Sequence, residues 1–185
     1  LTFATLSDGN KIENPRFFKQ SEDDLARAQQ VLARKKRGSK SRRKAKKTVQ
    51  KIHAKIRNQR NDFQHKHSRE IVSNYGAIYV EDLNIKGLAG GMLAKSVHDA
   101  AWRGFLDKLS CKASSAGREF LEVRAAGTSQ ECLCGAAVRK TLSDRWHHCE
   151  ACGLSEPRDH VSSKVIEARG LRASRKIIPN EAALL

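Results

Sequence analysis

The sequence predicts an α/β fold in which helices flank a mixed sheet, with a long basic helical hairpin and a small cysteine-bracketed insertion. Three observations predict it. Strand-like runs alternate with stretches of helical periodicity, the pattern of helices layered on a sheet. The run Ala77-Ile78-Tyr79-Val80-Glu81-Asp82-Leu83 reads as a buried strand ending in a carboxylate. Further along, four of the five cysteines fall within residues 132 to 152, and Arg158-Asp159 follows them.

A chain of 185 residues can bury one sizeable core and carry a small appended module. Its 36 Lys and Arg outnumber 20 Asp and Glu, a net charge of +16 that folding does not require. The excess points to a polyanionic partner. No run of eighteen apolar residues occurs and the basic stretches lack a bulky apolar face, so nucleic acid outranks a membrane. Clustered cysteines with Cys111 alone do not make a secreted disulfide framework, and a reducing, cytoplasmic location is expected.

Residues 1–18 alternate loosely around the turn signal Asp8-Gly9-Asn10, which predicts strands near 1–6 and 11–18, with Pro15 near an edge. Ser21 with Asp24 three residues on reads as a helix start, and a helix to about Arg37 places Leu25, Ala28 and Leu32 on one face. Gly38-Ser39 breaks it. A second helix from Lys40 to Asn74 carries the narrow seam Ala45, Val49, Ile52, Ile56 and Phe63, so the pair should form an antiparallel hairpin spanning 21–74. After a flexible Gly87 to Gly91 loop, a helix over 96–116 presents Val97, Ala101, Phe105, Leu109 and Ala113, with Trp102 and Cys111 read as packing residues. Glu119 to Arg124 is a short strand. The order suggests a mixed sheet of the RNase H kind. Sites in open α/β sheets lie beyond the carboxyl ends of the strands, where Glu81 falls. Asp82 faces away by strand alternation.

The hairpin carries the charge. Between Leu25 and Asn61 there are fifteen Lys or Arg and no acid, and ten crowd into residues 34 to 47. These are Arg34, Lys35, Lys36, Arg37, Lys40, Arg42, Arg43, Lys44, Lys46 and Lys47. Solvated helix faces normally mix signs because like charges at i,i+4 repel. With aromatics scarce, backbone phosphate contact and a steep salt dependence are expected rather than base stacking.

Cys132-Leu133-Cys134 and Cys149-Glu150-Ala151-Cys152-Gly153 read as two knuckles of a zinc ribbon, since Zn²⁺ takes four soft ligands in a tetrahedron. The first knuckle has one residue between its cysteines where two are usual, which makes a shared metal harder to reach. His147 or His148 could replace one thiolate. A decayed metal site and an unrelated cysteine cluster are the alternatives. A buried strand ending in Glu81 and a helix opening at Asp159 is a pattern that gathers carboxylates around Mg²⁺ for phosphodiester chemistry.

The order Val80-Glu81-Asp82-Leu83-Asn84, Gly127-Thr128-Ser129-Gln130, the cysteine knuckles and Arg158-Asp159 resembles the C-terminal half of the TnpB (OrfB) family of transposon-encoded proteins, related to type V CRISPR effectors. The resemblance covers residues 1 to 170. It implies a RuvC-like nuclease domain over 1–127, a zinc-ribbon insertion over 128–156, the last nuclease helix over 157–170 and a loosely ordered tail over 171–185. It also implies a DNA partner and a transposon-derived guide RNA. Proteins of this type are commonly labelled transposases, although the family's activity is nuclease-like.

By that resemblance Glu81 matches the family's second catalytic carboxylate and Asp159 its third, both expected to hold divalent metal. The first belongs to a strand motif that would precede Leu1, and residues 1–7 contain no acid. Pro157 and Val161 stand where the family usually has Asp and Asn. With two carboxylates of three, the chain is expected to bind nucleic acid but cut it poorly or not at all. The alternatives are a non-catalytic zinc-ribbon binding module and a decayed transposon remnant.

Overall fold

The chain opens with a hairpin of two-residue strands, β1 (Ala4–Thr5) and β2 (Lys11–Ile12), paired antiparallel around the predicted turn. The Asn10 amide donates to Asp8 Oδ1 at 2.9 Å, and Gly9 takes the left-handed conformation (φ 92°) that the turn requires. The strands are shorter than expected. This is a computed structural model that describes residues 2–84, 87, 90, 94–141 and 143–177. Most of the Gly87 to Gly91 loop and the end of the expected tail lie outside them.

Contacts cluster the chain into two units. One comprises Pro15–Ser73 and Ile85–Lys112, and is built on α1 (Phe17–Ala33), most of α2 (Lys40–Asn74), α3 (Ala94–Ala100) and the body of α4 (Trp102–Ser115). Helices α1 and α2 run antiparallel. At one end the Phe17 and Phe63 rings meet edge to face, 6.1 Å between centroids, and at the other Arg42 Nη1 donates to the carbonyls of Leu32 and Lys35 at 2.9 and 3.1 Å. The seam of α2 buries Ala45 and Ile56 and continues through Gln64, Ser68, Ile71 and Val72.

Three expectations in this unit need correction. Helix α1 begins at Phe17, ahead of Ser21, because its first amides are capped from a distance: Phe18 and Lys19 N–H donate to the two oxygens of Asp99 at 2.9 and 3.4 Å. The single helix expected over 96–116 is broken at Ala101, whose left-handed φ of 50° turns its carbonyl onto Gln64 Nε2 at 3.0 Å. Cys111 is exposed; Phe105, Leu106, Leu109 and Ala113 do the packing.

The other unit comprises Leu1–Asn14, Asn74–Asn84 and Ala113–Leu185. Its centre is β3 (Ala77–Asp82) paired in parallel with β4 (Glu119–Arg124), so that Glu81 lies beside Val123. Both strands are rich in β-branched and aromatic residues, and Ile78 and Val123 are buried. Parallel pairing demands a long crossover, which residues 83–118 supply. Then come β5 (Trp146–His148) and β6 (Ser155–Pro157), antiparallel, and α5 (Arg158–Ile177), which packs on β3 and β4 and buries Val161 and Val165 one turn apart. Val161 thus occupies a core position. Helix α5 runs past residue 170 to Ile177, so the first part of the expected tail is helical. Helices and strands are mixed as expected, but among the described residues the ladders form three separate two-stranded pairs rather than the single mixed sheet of the RNase H kind.

Candidate active site and metal centre

Glu81 and Asp159, 78 residues apart along the chain, line the same cleft of about 450 Å³ in the unit centred on β3. Strand β3 ends at Asp82, which places Glu81 at its carboxyl end, and Asp159 opens the first turn of α5. The remaining wall includes Thr2, Thr5, Thr128 and Arg158. Asp82 is exposed and does not line it.

Each carboxylate has a local partner. The Thr128 hydroxyl bonds Glu81 Oε1, and Thr128 itself is buried, with 3% of its surface exposed. Asp159 is half open to solvent, pairs with Arg158 Nε at 3.4 Å, and sits where the helix dipole favours an anion. Arg158 is held by its own contacts: its amide donates to the Arg145 carbonyl at 2.9 Å and Nη1 to Thr141 O at 3.3 Å. Asp8, the first acid in the chain, is engaged in its turn with Asn10 and by the Tyr75 hydroxyl, which with the Asn10 amide holds its carboxyl below the usual range. It does not line the cleft.

The four cysteines of the knuckles converge. Their sulfurs all lie within 4.8 Å of one another, with Cys132 to Cys152 at 3.6 Å and Cys134 to Cys149 at 3.7 Å. Four thiolates about 2.3 Å from a tetrahedral Zn²⁺ would stand about 3.8 Å apart, so the set fits and could hold a metal ion. The short first knuckle reaches because Gly135 (φ 88°) closes it, with its amide on the Cys132 carbonyl at 2.9 Å. Gly153 (φ 75°) does the same for the second through Cys149 O at 2.8 Å. Amide donation from Cys152 lowers the Cys149 thiol to about 7. At Cys152 the Leu154 amide pulls down, but hydrogen bonding with Cys134 and Cys132 prevails and raises it to about 12.

Neither histidine joins the group. His148 is exposed. His147 is fully buried, and burial, with Lys140 beside it, lowers its imidazole, which meets the Lys140 ammonium at Nδ1.

Of the ten basic residues expected to meet phosphate, Arg42 is partly buried and spends its guanidinium on the end of α1; the others are exposed. Thr128, Arg158 and Arg169 were not singled out from sequence as site residues. Thr128 stands in the quoted Gly-Thr-Ser-Gln run and Arg158 beside Asp159, whereas nothing local marks Arg169. Its Nη1 donates to the carbonyls of Arg124 and Ala126 at 2.8 and 2.9 Å, and its Nη2 pairs with Glu131 at 2.6 Å.

A family model described as "Probable transposase" (OrfB) matches residues 1–91, and one described as "Cas12f1-like, TNB domain" matches residues 102–166. Two relatives bear the name "Putative RNA-guided DNA endonuclease". One, from Streptomyces pristinaespiralis, is 37% identical over 94% of this chain. The other, InsQ from Escherichia coli K12, is 32% identical over 90%. The chain belongs to the TnpB (OrfB) family of transposon-encoded proteins. It spans about half the length of these curated relatives, 44% and 46%. In fold it is similar to the protein of a "Cas12f1-sgRNA-target DNA complex", with a TM-score of 0.56 and 20% identity over 85% of this chain and 43% of that one. Among the described residues no helix is long and apolar enough to cross a membrane.

Proposed function

We propose that the unit around β3 and α5 is a RuvC-like nuclease domain of the RNase H type with an inserted zinc ribbon, and that the chain serves RNA-guided, metal-dependent cleavage of DNA. The observation that carries the reading is the cleft shared by Glu81 and Asp159. In this reading residues 1–127 and 157–170 belong to the nuclease domain, the basic hairpin at 21–74 is its arm, and 128–156 form the ribbon. The names of the relatives, RNA-guided DNA endonucleases, support a DNA substrate and a guide RNA as partner.

Two carboxylates in an open cleft suit a hard divalent cation such as Mg²⁺, which proteins typically hold through one or two carboxylates and water. When bound, the ion supplies an activated water and neutralises charge on the leaving oxygen. The chain's own residues do the rest. Thr128 restrains the Glu81 carboxylate. Arg158 and the first turn of α5 orient Asp159 and put positive potential where a phosphodiester would lie. The exposed cations of residues 34–47 grip phosphates without reading sequence. The cysteines, with zinc, order the ribbon, whose knuckles bury little besides Cys132, His147 and Cys149.

A second reading, a module that binds nucleic acid without cutting it, is favoured by one observation: among the described residues the cleft has two acids, Glu81 and Asp159. By themselves these 185 residues should bind nucleic acid and cleave it slowly. Incubating the purified chain with Mg²⁺ and a labelled single-stranded DNA tests this. Slow cutting that disappears in Glu81→Ala and Asp159→Ala supports the nuclease reading, and no cutting alongside firm binding supports the second. Robust cutting lost in Glu81→Ala would overturn the expected impairment. Metal analysis should find one zinc per chain, lost in Cys149→Ser.

A further inference from the structure

We propose that Thr128 is the positioning residue for the Glu81 carboxylate, held in place by a strap that runs from the end of β4 to the first cysteine of the ribbon. The inference rests on the nuclease reading above and names the residue that gives that site its geometry. A glutamate at a strand end has three rotatable side-chain bonds, and a metal ligand must be fixed to bind well. Among the described residues, the hydrogen-bond donor on Glu81 is the Thr128 hydroxyl, at Oε1, which leaves Oε2 to coordinate.

The features of Thr128 suit that task. Its side chain is buried, and β-branching restricts its χ1. The hydroxyl has one proton and two acceptors within reach, Glu81 Oε1 and the Ala125 carbonyl at 3.0 Å, and the ionised carboxylate is the stronger of the two. The backbone around it is pinned at both ends. Arg169 of α5 clamps the carbonyls of Arg124 and Ala126 on one side of Thr128 and the Glu131 carboxylate on the other. Gly127 (φ 81°) makes the turn between them, and Cys132 anchors the far end in the cysteine cluster. The same clamp ties the strap to the helix that carries Asp159, so both carboxylates are set by one bonded framework within the unit.

The test is the affinity of the whole 185-residue chain for Mn²⁺, read by water-proton relaxation, in the parent and in Thr128→Val, Thr128→Ser, Glu81→Gln and Asp159→Asn. Thermal unfolding of each variant serves as the fold control. Thr128→Val keeps the branched shape and should weaken Mn²⁺ binding roughly tenfold, while Thr128→Ser stays within about twofold of the parent. Glu81→Gln should abolish the site. Thr128→Val binding as tightly as the parent, while Glu81→Gln and Asp159→Asn bind weakly, would overturn the positioning role and leave the metal site standing. Equal weakening in Thr128→Val and Thr128→Ser would also overturn it, since the hydroxyl would not be what matters. Binding unaffected by Glu81→Gln and Asp159→Asn would instead bring down the nuclease reading, and this inference with it.

Discussion

Gly170 of α5 lies so close to the ring of Tyr79 on β3 that a Cβ built on it would fall 2.1 Å from the ring's Cγ and 2.4 Å from its Cδ1. The contact joins the strand that carries Glu81 to the helix that carries Asp159. Tyr79 is held from its other end by a 3.0 Å hydrogen bond from its hydroxyl to Glu119 on the paired strand. Gly170→Ala must therefore push helix and strand apart. We expect it to destabilise the unit by about 1–3 kcal/mol, the usual cost of overpacking, as measured by urea unfolding. Stability unchanged within error would mean that the two elements are not packed this closely.

Asp99 does the work of an N-cap for a helix eighty residues earlier. Its oxygens take the Phe18 and Lys19 amides and the Arg60 guanidinium at 3.3 Å, and its side chain is 7% exposed. Helix α1 has no side-chain cap of its own at Arg16. Asp99→Ala leaves the Arg60 charge and two helix amides without their acceptor, and should cost roughly 3 kcal/mol. Loss of α1 amide protection in hydrogen exchange would accompany it. Asp99→Asn, which retains an acceptor but not the charge, should cost less.

Glu156 accepts both hydrogen bonds of Lys164, at 3.0 and 2.8 Å, and these hold its carboxyl below the ordinary 4.5. Its contribution to stability is complete above that value and disappears as pH falls through the lowered folded one. The parent should exceed Glu156→Gln by roughly 1 kcal/mol at pH 7 and match it once the pH has fallen below the lowered folded value, when thermal melts are compared across pH.

The exposed cations of residues 34–47 should act through phosphates. Changing Lys35, Lys36 and Arg37 together to Gln should reduce the slope of log affinity against log salt by about two to three, with little change in melting temperature. Arg42→Gln should do the reverse. Its guanidinium closes the end of α1, so stability falls by about 1 kcal/mol while the salt slope barely moves.

Features written locally in the chain were legible from it. Helix α2 spans Lys40 to Asn74 as its seam and the Gly38-Ser39 break indicated, and the strands at 77–82 and 119–124 announced themselves by β-branched and aromatic runs. The four-cysteine cluster was also legible, although its short first knuckle closes through the left-handed turn at Gly135 rather than through a histidine. What escaped was set by distant partners. Helix α1 starts at Phe17 because of Asp99, and Ala101 breaks a helix in a conformation that alanine does not advertise. Cys111 kept an apolar spacing yet lies exposed. Arg169, which clamps the strap beneath Glu81, reads in sequence as one more cation among 36 Lys and Arg.

Cleavage as proposed requires Glu81 and Asp159 to serve one metal ion in the cleft they both line. Crystals of the chain soaked in Mn²⁺ and recorded at the manganese absorption edge would test that most directly. An anomalous peak within about 2.0–2.3 Å of an oxygen from each carboxylate is the predicted result. Manganese bound elsewhere with the cleft empty, or the two carboxylates too far apart to share an ion, would contradict it.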